Sequence, residues 1–223
     1  MNRMNQTGSR LSGFYSGACL GGKILRYRNK QNIYRQGERA DTLYFIEEGG
    51  VRLTTRSKNR VAVTAILGVN DFFGELCLAG YSHRMSTAIA LSACSIRTIK
   101  KAKMLQMLRK NNKTSNSLVA HLLSSVKNYG DHVADLLTSS AEQRLGRVLL
   151  QLTHLYKKGR VVVQTPILTH QVLAEMVGTT RSRVNLFMNR FQKRGFISYD
   201  KGLELHRSFR KVLGLSKKPQ TGR

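Results

Sequence analysis

Apolar residues recur most regularly in the C-terminal third of the chain. There Val184, Phe187, Met188 and Phe191 occur at i, i+3, i+4 and i+7, the spacing of a helix with one buried face. This pattern predicts a helix over about residues 180–194, with its polar face directed away from the core.

The segments on either side of this helix predict a winged helix-turn-helix. A shorter helix precedes it, and Gly178-Thr179 predicts the tight turn between the two helices. Thr180 is a favourable N-cap for the longer helix, and residues 200–202 (Asp-Lys-Gly) are a favourable tip for a β-hairpin, the wing. Since the second helix of such a unit enters the DNA major groove, the sequence predicts a DNA-binding domain.

The polar face of the longer helix carries side chains that hydrogen-bond to phosphates and base edges. We expect Arg181 and Asn185 to read bases. We expect Lys193, the turn and the start of the shorter helix chiefly to contact the DNA backbone. The predicted DNA-binding residues are Thr169, His170, Thr179, Thr180, Arg181, Ser182, Arg183, Asn185 and Lys193.

The N-terminal half has a different pattern. From Lys23 to about Ile99, short β-type runs alternate with glycine-bearing turns, which is typical of a small β-barrel or sandwich. A short helix is predicted over residues 103–110. The chain of 223 residues is therefore predicted to be α+β and long enough for two domains.

A long helix is predicted over residues 115–137, where apolar residues recur among mostly polar neighbours. Such a stripe on a helix between two domains is the usual seam of a parallel dimer. Gly130 lowers helix stability in the middle of the segment and is a candidate for a kink. A further helix is predicted over residues 141–155. The stripe consists of Leu118, Leu122, Val126, Val133, Leu136 and Leu137.

These patterns divide the chain into four segments. Residues 1–22, rich in Gly, Ser and Asn, are interpreted as a flexible N-terminal arm. Residues 23–112 form the β-domain and residues 113–138 the dimerisation helix. Residues 139–223 form the winged helix-turn-helix domain, with a loop over residues 156–166 and a basic tail.

The loop between the strand groups carries candidate ligand chemistry. Backbone amides near Gly74, the Arg84 guanidinium and two hydroxyl side chains suit a phosphate, and Glu75 suits a ribose hydroxyl. The alternative is a structural ion pair between Glu75 and Arg84 that braces the loop. The candidate effector-binding residues are Gly74, Glu75, Leu76, Arg84, Ser86 and Thr87.

The net charge favours a polyanionic partner. Thirty-eight Lys and Arg against 12 Asp and Glu give a formal charge of +26, which attracts nucleic acid and accelerates its association. The basic residues of the N-terminal half are compatible with bent DNA, with an anionic ligand or with solubility alone. The helix-turn-helix pattern, rather than the charge, favours double-stranded DNA over RNA or a membrane.

The sequence disfavours several other classes of site. Three cysteines without a CxxC motif argue against a disulfide framework or structural zinc and favour the cytoplasm. The six histidines lack metal-ligand spacing and are interpreted as surface or capping residues, so no metal is expected. The sequence contains no run of 18 apolar residues, so neither a transmembrane helix nor a membrane partner is expected. No GxSxG, HExxH or P-loop motif supports an enzyme.

Three motifs accompany the long helix: YRQGERADTLYFIEEGGVRL at 34–53, FFGELCLAG at 72–80 and LAEMVGTTRSRVNLFMNRFQKRGFI at 173–197. On these, the chain over about residues 24–212 resembles the catabolite-activator and fumarate-nitrate-regulator superfamily of bacterial transcription factors. The resemblance implies a cyclic-nucleotide-binding β-roll, a dimerisation helix and a C-terminal winged helix. It also implies a homodimer that bends a palindromic operator and contacts RNA polymerase at the bacterial nucleoid.

The chain departs from the cyclic-AMP-responsive members at the ligand positions. In those members an Arg-Ser pair follows the Gly and Glu of the phosphate cassette, whereas here Met85 separates Arg84 from Ser86. Tyr129 and Gly130 stand where those members place hydroxyls that hold adenine. We therefore expect weak cyclic AMP binding, and an unidentified effector or none is favoured.

The chain also departs from the family at the reading helix. Arg181 matches the activator's first base-contacting Arg, but its Glu is replaced by Ser182 and its third reader, Arg, by Leu186. Because Glu accepts from cytosine and Arg donates to guanine, we expect a different operator. The iron–sulfur members need an N-terminal cysteine cluster, which Cys19 alone does not supply.

The leading hypothesis is a sequence-specific DNA-binding transcription regulator. The alternative is a nonspecific basic nucleic-acid-binding protein that retains the fold without effector control. The specificity ratio for one operator over random DNA separates the two.

Overall fold

The computed structural model describes residues 22–58, 60–155, 169–199, 203–206 and 208–209. The chain divides into two compact units between His132 and Val133. The predicted arm (except Gly22), the loop over 156–166, the hairpin tip, the basic tail and Cys19 lie outside the described residues.

The first unit is built on two antiparallel four-stranded sheets, with strand orders β1-β8-β3-β6 and β2-β7-β4-β5. Two packed sheets of short strands confirm the predicted α+β class and the barrel or sandwich. The strands are β1 Ile24–Tyr27, β2 Asn32–Tyr34, β3 Thr42–Glu48, β4 Val51–Ser57, β5 Arg60–Leu67, β6 Phe72–Phe73, β7 Thr87–Ala90 and β8 Cys94–Lys100.

The core of this unit has two parts, one on each face of β3. Successive side chains of a strand point to opposite faces. Accordingly Tyr44 and Ile46 belong to one apolar cluster, between the sheets. Leu43 and Phe45 belong to the other, together with Met104 of the helix α1 (Lys101–Lys110). The strand is therefore buried on both faces, which explains its nearly continuous apolar sequence.

Asp71, in the turn before β6, is a partly buried carboxylate. Its Oδ2 accepts a hydrogen bond from the Gly68 amide at 2.8 Å. Burial outweighs this contact and raises the pKa of the carboxyl from 3.8 to about 6. The folded protein thus binds this proton more tightly than the unfolded chain does. Stability should therefore fall as the pH rises from about 4 to about 6.

Asp71→Asn keeps an acceptor for the Gly68 amide and removes the charge. We expect it to abolish the fall and to raise the free energy of unfolding at pH 7 by on the order of 1–3 kcal/mol. Urea titrations between pH 4 and pH 7 measure this. Glu48→Gln removes an exposed carboxylate of the same unit and should behave like the wild type. A variant less stable than the wild type at pH 7 would contradict the prediction.

The remaining helices lie where the periodicity predicts them. Helix α2 is continuous through Gly130, so the glycine does not interrupt it. Strands β9 and β10 pair antiparallel, as expected for a wing. The elements are α2 Asn112–Thr138, α3 Ala141–Leu155, α4 His170–Val177, α5 Arg181–Lys193, β9 Ile197–Ser198 and β10 Glu204–Leu205.

Among the histidines that the structure describes, His121 departs from the prediction that they are surface or capping residues. His121 of α2 is partly buried, and its ring packs edge-on against Phe72 with the centroids 5.7 Å apart. Burial lowers the pKa of His121. The prediction is therefore wrong for His121, which packs the long helix against the β-domain.

Candidate nucleic-acid interface and effector cassette

The two helices of the helix-turn-helix both begin at threonine caps. The Thr169 hydroxyl accepts from the Val172 amide, and the Thr180 hydroxyl accepts from the Arg183 amide, each at 3.3 Å. Gly178 ends α4 in the left-handed conformation, with φ of 69°. The predicted turn and the Thr180 cap are thereby confirmed, and α4 begins at His170.

Helix α5 is held by a buried stripe. Val184, Phe187, Met188 and Phe191 are between 0% and 7% exposed, as the spacing predicts. The ring of Phe191 packs edge-on against Phe209, at 5.3 Å between centroids. A rigid apolar base of this kind fixes the direction of the outward side chains.

The predicted DNA contacts lie mostly on exposed surface. The start of α5 exposes Arg181, Ser182 and Arg183, followed one turn later by Asn185. Lys193, the last residue of α5, is exposed as well. The capping hydroxyls act as acceptors, so their hydrogens stay free to donate to phosphate. Of the remaining members, Thr169 and Thr180 are exposed and His170 and Thr179 are partly buried.

Helix α3 supports α5 through an ion pair that the sequence analysis missed. Arg190 of α5 donates to Glu142 Oε2 of α3 at 2.6 Å. Both side chains retain some exposure, so the pair adds orientation more than stability. A signal was available in Glu142, an acidic residue in the first turn of a predicted helix, but its partner lies 48 positions away.

Two arginines of α3 attach the last turn of α2 to the helix-turn-helix. Arg144 donates to the carbonyl oxygens of Ser139 at 2.6 Å and Val177 at 2.9 Å. Arg147 forms an ion pair with Asp135 at 2.8 Å. The end of α2 is thus part of the DNA-binding unit.

An apolar face runs along α2. Its residues recur at i, i+3, i+7, i+10, i+14 and i+17, the heptad pattern of a two-helix seam. They are between 37% and 67% exposed in the single chain. Leu118, which we assigned to this stripe, is 6% exposed and belongs to the core of its own chain, so that assignment was wrong. The residues of the face are Val119, Leu122, Val126, Tyr129, Val133 and Leu136.

The segment with the candidate effector-binding residues, 74–87, is called the cassette below. It begins at a glycine that the local geometry requires. Gly74 has φ of 79°, in the left-handed region, and precedes a 3₁₀ turn, Glu75–Ala79. A Cβ at Gly74 would lie 2.7 Å from Arg84 Nη1 and 3.2 Å from the Thr42 oxygen. A side chain at this position would therefore displace Arg84.

Arg84 is buried, with 6% of its surface exposed. Its guanidinium donates to the Thr42 carbonyl at 2.7 Å and to the Gly74 carbonyl at 3.3 Å. Its Cζ lies 4.4 Å from the ring centroid of Tyr34 and 5.2 Å from that of Tyr44, as in cation–π contacts. The side chain is thus part of the aromatic core.

The alternative ion pair is not formed. The ion pairs of the described residues join other partners, so Glu75 and Arg84 do not brace the loop in this way. Burial raises the pKa of Glu75, and its own backbone amide and Arg84 partly oppose the shift.

The other cassette residues are partly committed to the fold. The Thr87 hydroxyl accepts from the Gln36 amide at 3.0 Å. Burial raises the pKa of Tyr34 to about 12, and the nearby Ser86 hydroxyl and Arg84 charge partly oppose the shift. Leu76 is 45% exposed and lies on the surface of the 3₁₀ turn.

Tyr129 of α2 is 47% exposed. Partial burial raises the pKa of its phenol, and the negative charge of Glu75 adds to the shift. Arg84 packs with Tyr34 and Tyr44, two tyrosines that the sequence analysis did not predict.

Among the described residues, no three His, Cys, Asp or Glu side chains come together as a metal site would require. In the same part of the chain, no helix has the length and apolar character needed to cross a membrane.

Two family descriptions match the chain. The cyclic nucleotide-binding domain matches residues 24–111, and the Crp-like helix-turn-helix domain matches residues 143–207. The CRP-like cAMP-activated global transcriptional regulator of Mycobacterium tuberculosis is 27% identical over 168 residues, covering 74% of this chain and 75% of that protein. The cAMP-activated global transcriptional regulator CRP of Pasteurella multocida is 26% identical over 182 residues, covering 78% and 85%.

Solved structures share the fold. FixK2 from Bradyrhizobium japonicum has a TM-score of 0.77 at 19% identity and covers 89% of this chain and 99% of its own. A CRP-family transcriptional regulator from Thermus thermophilus has a TM-score of 0.73 at 22% identity and covers 87% and 98%. With a β-roll and a Crp-type helix-turn-helix in the same order, the chain belongs to the CRP/FNR family of DNA-binding transcription regulators.

Proposed function

We propose that this protein is a homodimeric, sequence-specific regulator that binds a palindromic operator through α5. The observation that carries the proposal is the recognition helix itself. Its apolar stripe is fully buried, its N-cap is satisfied, and Arg181, Ser182 and Asn185 are exposed at its first turns. Side chains fixed in this way distinguish base edges, whereas a mobile basic surface does not.

The apolar face of α2 supports the homodimer. Exposure of apolar side chains such as Val126, which is 67% exposed, is energetically unfavourable. A second α2 helix would bury them and gain the free energy of removing this surface from water. A two-fold axis between two parallel α2 helices would present the same recognition helix to each half of the operator. We therefore propose that the operator is a palindrome. The curated relatives are named global transcriptional regulators, which supports action at promoters, contact with RNA polymerase and a place at the cytoplasmic nucleoid.

We infer that cyclic AMP is not the physiological effector, although the β-roll belongs to a cyclic-nucleotide-binding family. The Arg84 guanidinium already donates to two carbonyls, and the side chain is only 6% exposed, so it is less accessible to a phosphate than a surface arginine. Tyr129, rather than a small hydroxyl residue, stands at the position where the cyclic-AMP-responsive members hold adenine. A small phosphate-bearing effector of another shape would place its phosphate on the backbone amides near Gly74 and the Ser86 hydroxyl, and Glu75 would accept a hydrogen bond from a hydroxyl group of the ligand.

The second candidate is a nonspecific nucleic-acid-binding protein, which the net charge of +26 favours. Selection from random DNA by the purified protein decides between the two. Enrichment of one symmetric sequence, bound at least about a thousandfold more tightly than random DNA, supports the regulator. Uniform binding supports the alternative. Members of the family are transcription regulators, and we propose no enzymatic activity.

Substitutions in α5 should separate base reading from phosphate binding. We expect Arg181→Ala to cost about 1–3 kcal/mol on the selected operator and to relax the preference at one base pair. We expect Lys193→Ala to weaken all sequences alike and to reduce the salt dependence by about one unit of slope. Fluorescence anisotropy with the operator and with random DNA, at several salt concentrations, measures both effects.

The two variants are controls for each other, because each removes one exposed cation from the same helix. If Arg181→Ala behaved like Lys193→Ala, with operator preference intact, Arg181 would be a phosphate contact and the assignment of base reading would be wrong.

A further inference from the structure

We propose that Leu186 contacts the 5-methyl group of a thymine in each operator half-site and is a specificity-determining residue. The inference rests on the proposed function, because it takes α5 to lie in the major groove. It assigns a chemical partner to an apolar side chain in the middle of an otherwise polar surface.

Leu186 lies on the outward face of α5. Ser182, Leu186, Asn189 and Lys193 occur at i, i+4, i+7 and i+11, which is one face of a helix. This face is opposite the buried stripe. Leu186 is 55% exposed, whereas the apolar residues of the stripe are at most 7% exposed. Its side chain is therefore not needed for the described core.

The chemistry of the neighbours indicates what Leu186 meets. Ser182 and Asn189 bear groups that hydrogen-bond to bases or phosphates, and all three neighbours on this face are exposed. Leucine has no polar atom and gains nothing from a phosphate. In the major groove, the apolar group that a base edge offers is the thymine methyl. A leucine opposite guanine or unmethylated cytosine would instead remove water from polar groups without replacing it.

The surrounding charges direct the helix to DNA but leave the Leu186 position to an apolar contact. Arg183 is exposed at the start of α5 and Lys193 at its end, which suits the phosphates on either side of a groove. One turn beyond Leu186, Arg190 is held by Glu142 at 2.6 Å. That guanidinium is thereby directed to α3 and not to the base that Leu186 faces.

Replacement of single thymines tests the inference. The operator is first selected from random DNA with the full-length protein. Each thymine is then changed to deoxyuridine, which removes the methyl group and preserves base pairing. We expect one position per half-site at which this change weakens binding about fourfold, the effect of exposing one buried methyl group. At that position 5-methylcytosine should bind better than cytosine by a similar factor.

Leu186→Ala should lose the difference between thymine and deoxyuridine at that position and keep the rest of the operator preference. Leu186→Arg should select guanine there, because arginine donates to the guanine O6 and N7. Val69→Ala is the matched control, since Val69 is 45% exposed and lies in the β-domain. It should retain the full effect of deoxyuridine. Circular dichroism should show unchanged helix content in all three variants.

The outcomes separate the two levels of inference. A selected operator that tolerates deoxyuridine at every thymine would overturn the role of Leu186 and leave the regulator intact. The same holds if Leu186→Ala keeps the wild-type penalty for deoxyuridine. Failure to enrich any sequence would instead overturn sequence-specific binding itself.

Discussion

Val126→Asp should convert the proposed dimer to a monomer and weaken operator binding on the order of a hundredfold or more. Val126 is 67% exposed in the single chain and lies at the centre of the apolar face of α2. An aspartate there would bury two unpaired charges against each other at the two-fold axis. The affinity for the operator falls because a monomer binds only one half-site, whereas a dimer binds two half-sites at once.

Sedimentation velocity at micromolar concentration and operator titration measure the two effects. Because the side chain is exposed before association, the fold of the chain should be unchanged by circular dichroism. Val69→Asp places the same charge on an exposed valine of the β-domain and should remain dimeric. A wild-type protein that sediments as a monomer both with and without DNA would refute the role of α2.

Arg84→Ala should lower the free energy of unfolding of the β-domain by about 2–4 kcal/mol. The substitution removes two donors from the carbonyls of Thr42 and Gly74 and leaves a cavity between the rings of Tyr34 and Tyr44. This effect differs from that of an arginine that only binds ligand, whose loss leaves the empty protein intact. Urea unfolding followed by tyrosine fluorescence measures it, with Arg35→Ala, an exposed arginine of the same unit, as the control.

Titration calorimetry with cyclic AMP and cyclic GMP completes the test of Arg84. We expect weak binding of cyclic AMP and less than a tenfold change in operator affinity, which limits the coupling to about 1.4 kcal/mol. Submicromolar binding that strongly raises operator affinity would contradict our interpretation of Tyr129 and Gly130. Unchanged stability in Arg84→Ala, together with lost nucleotide binding, would make Arg84 a ligand-binding residue.

The family resemblance was visible in the sequence because its markers are local. The spacing of Val184, Phe187 and Phe191, the threonine cap at Thr180 and the turn at Gly178 each involve residues within two helical turns. Such patterns are read from neighbours along the chain. The structure confirms each of them.

The same locality explains the error in the α2 stripe. Leu118 and Val119 are adjacent apolar residues, and either of them continues a helical stripe. Leu118 is buried and Val119 is 53% exposed. Periodicity gives the width of an apolar face, but which of two neighbouring residues the chain covers depends on what packs against the helix.

The sequence by itself determined the order of the elements, the core stripe of the recognition helix and the polar surface opposite it, since helical period and capping depend on residues a few positions apart. Only the tertiary structure determined which residues of the cassette are buried and which groups they contact. Arg84 contacts carbonyls 10 and 42 positions away, and its guanidinium packs against the rings of Tyr34 and Tyr44. Burial and electrostatic environment arise only when such distant segments pack together, so the sequence alone could not show that Arg84, a predicted phosphate ligand, is also part of an aromatic core.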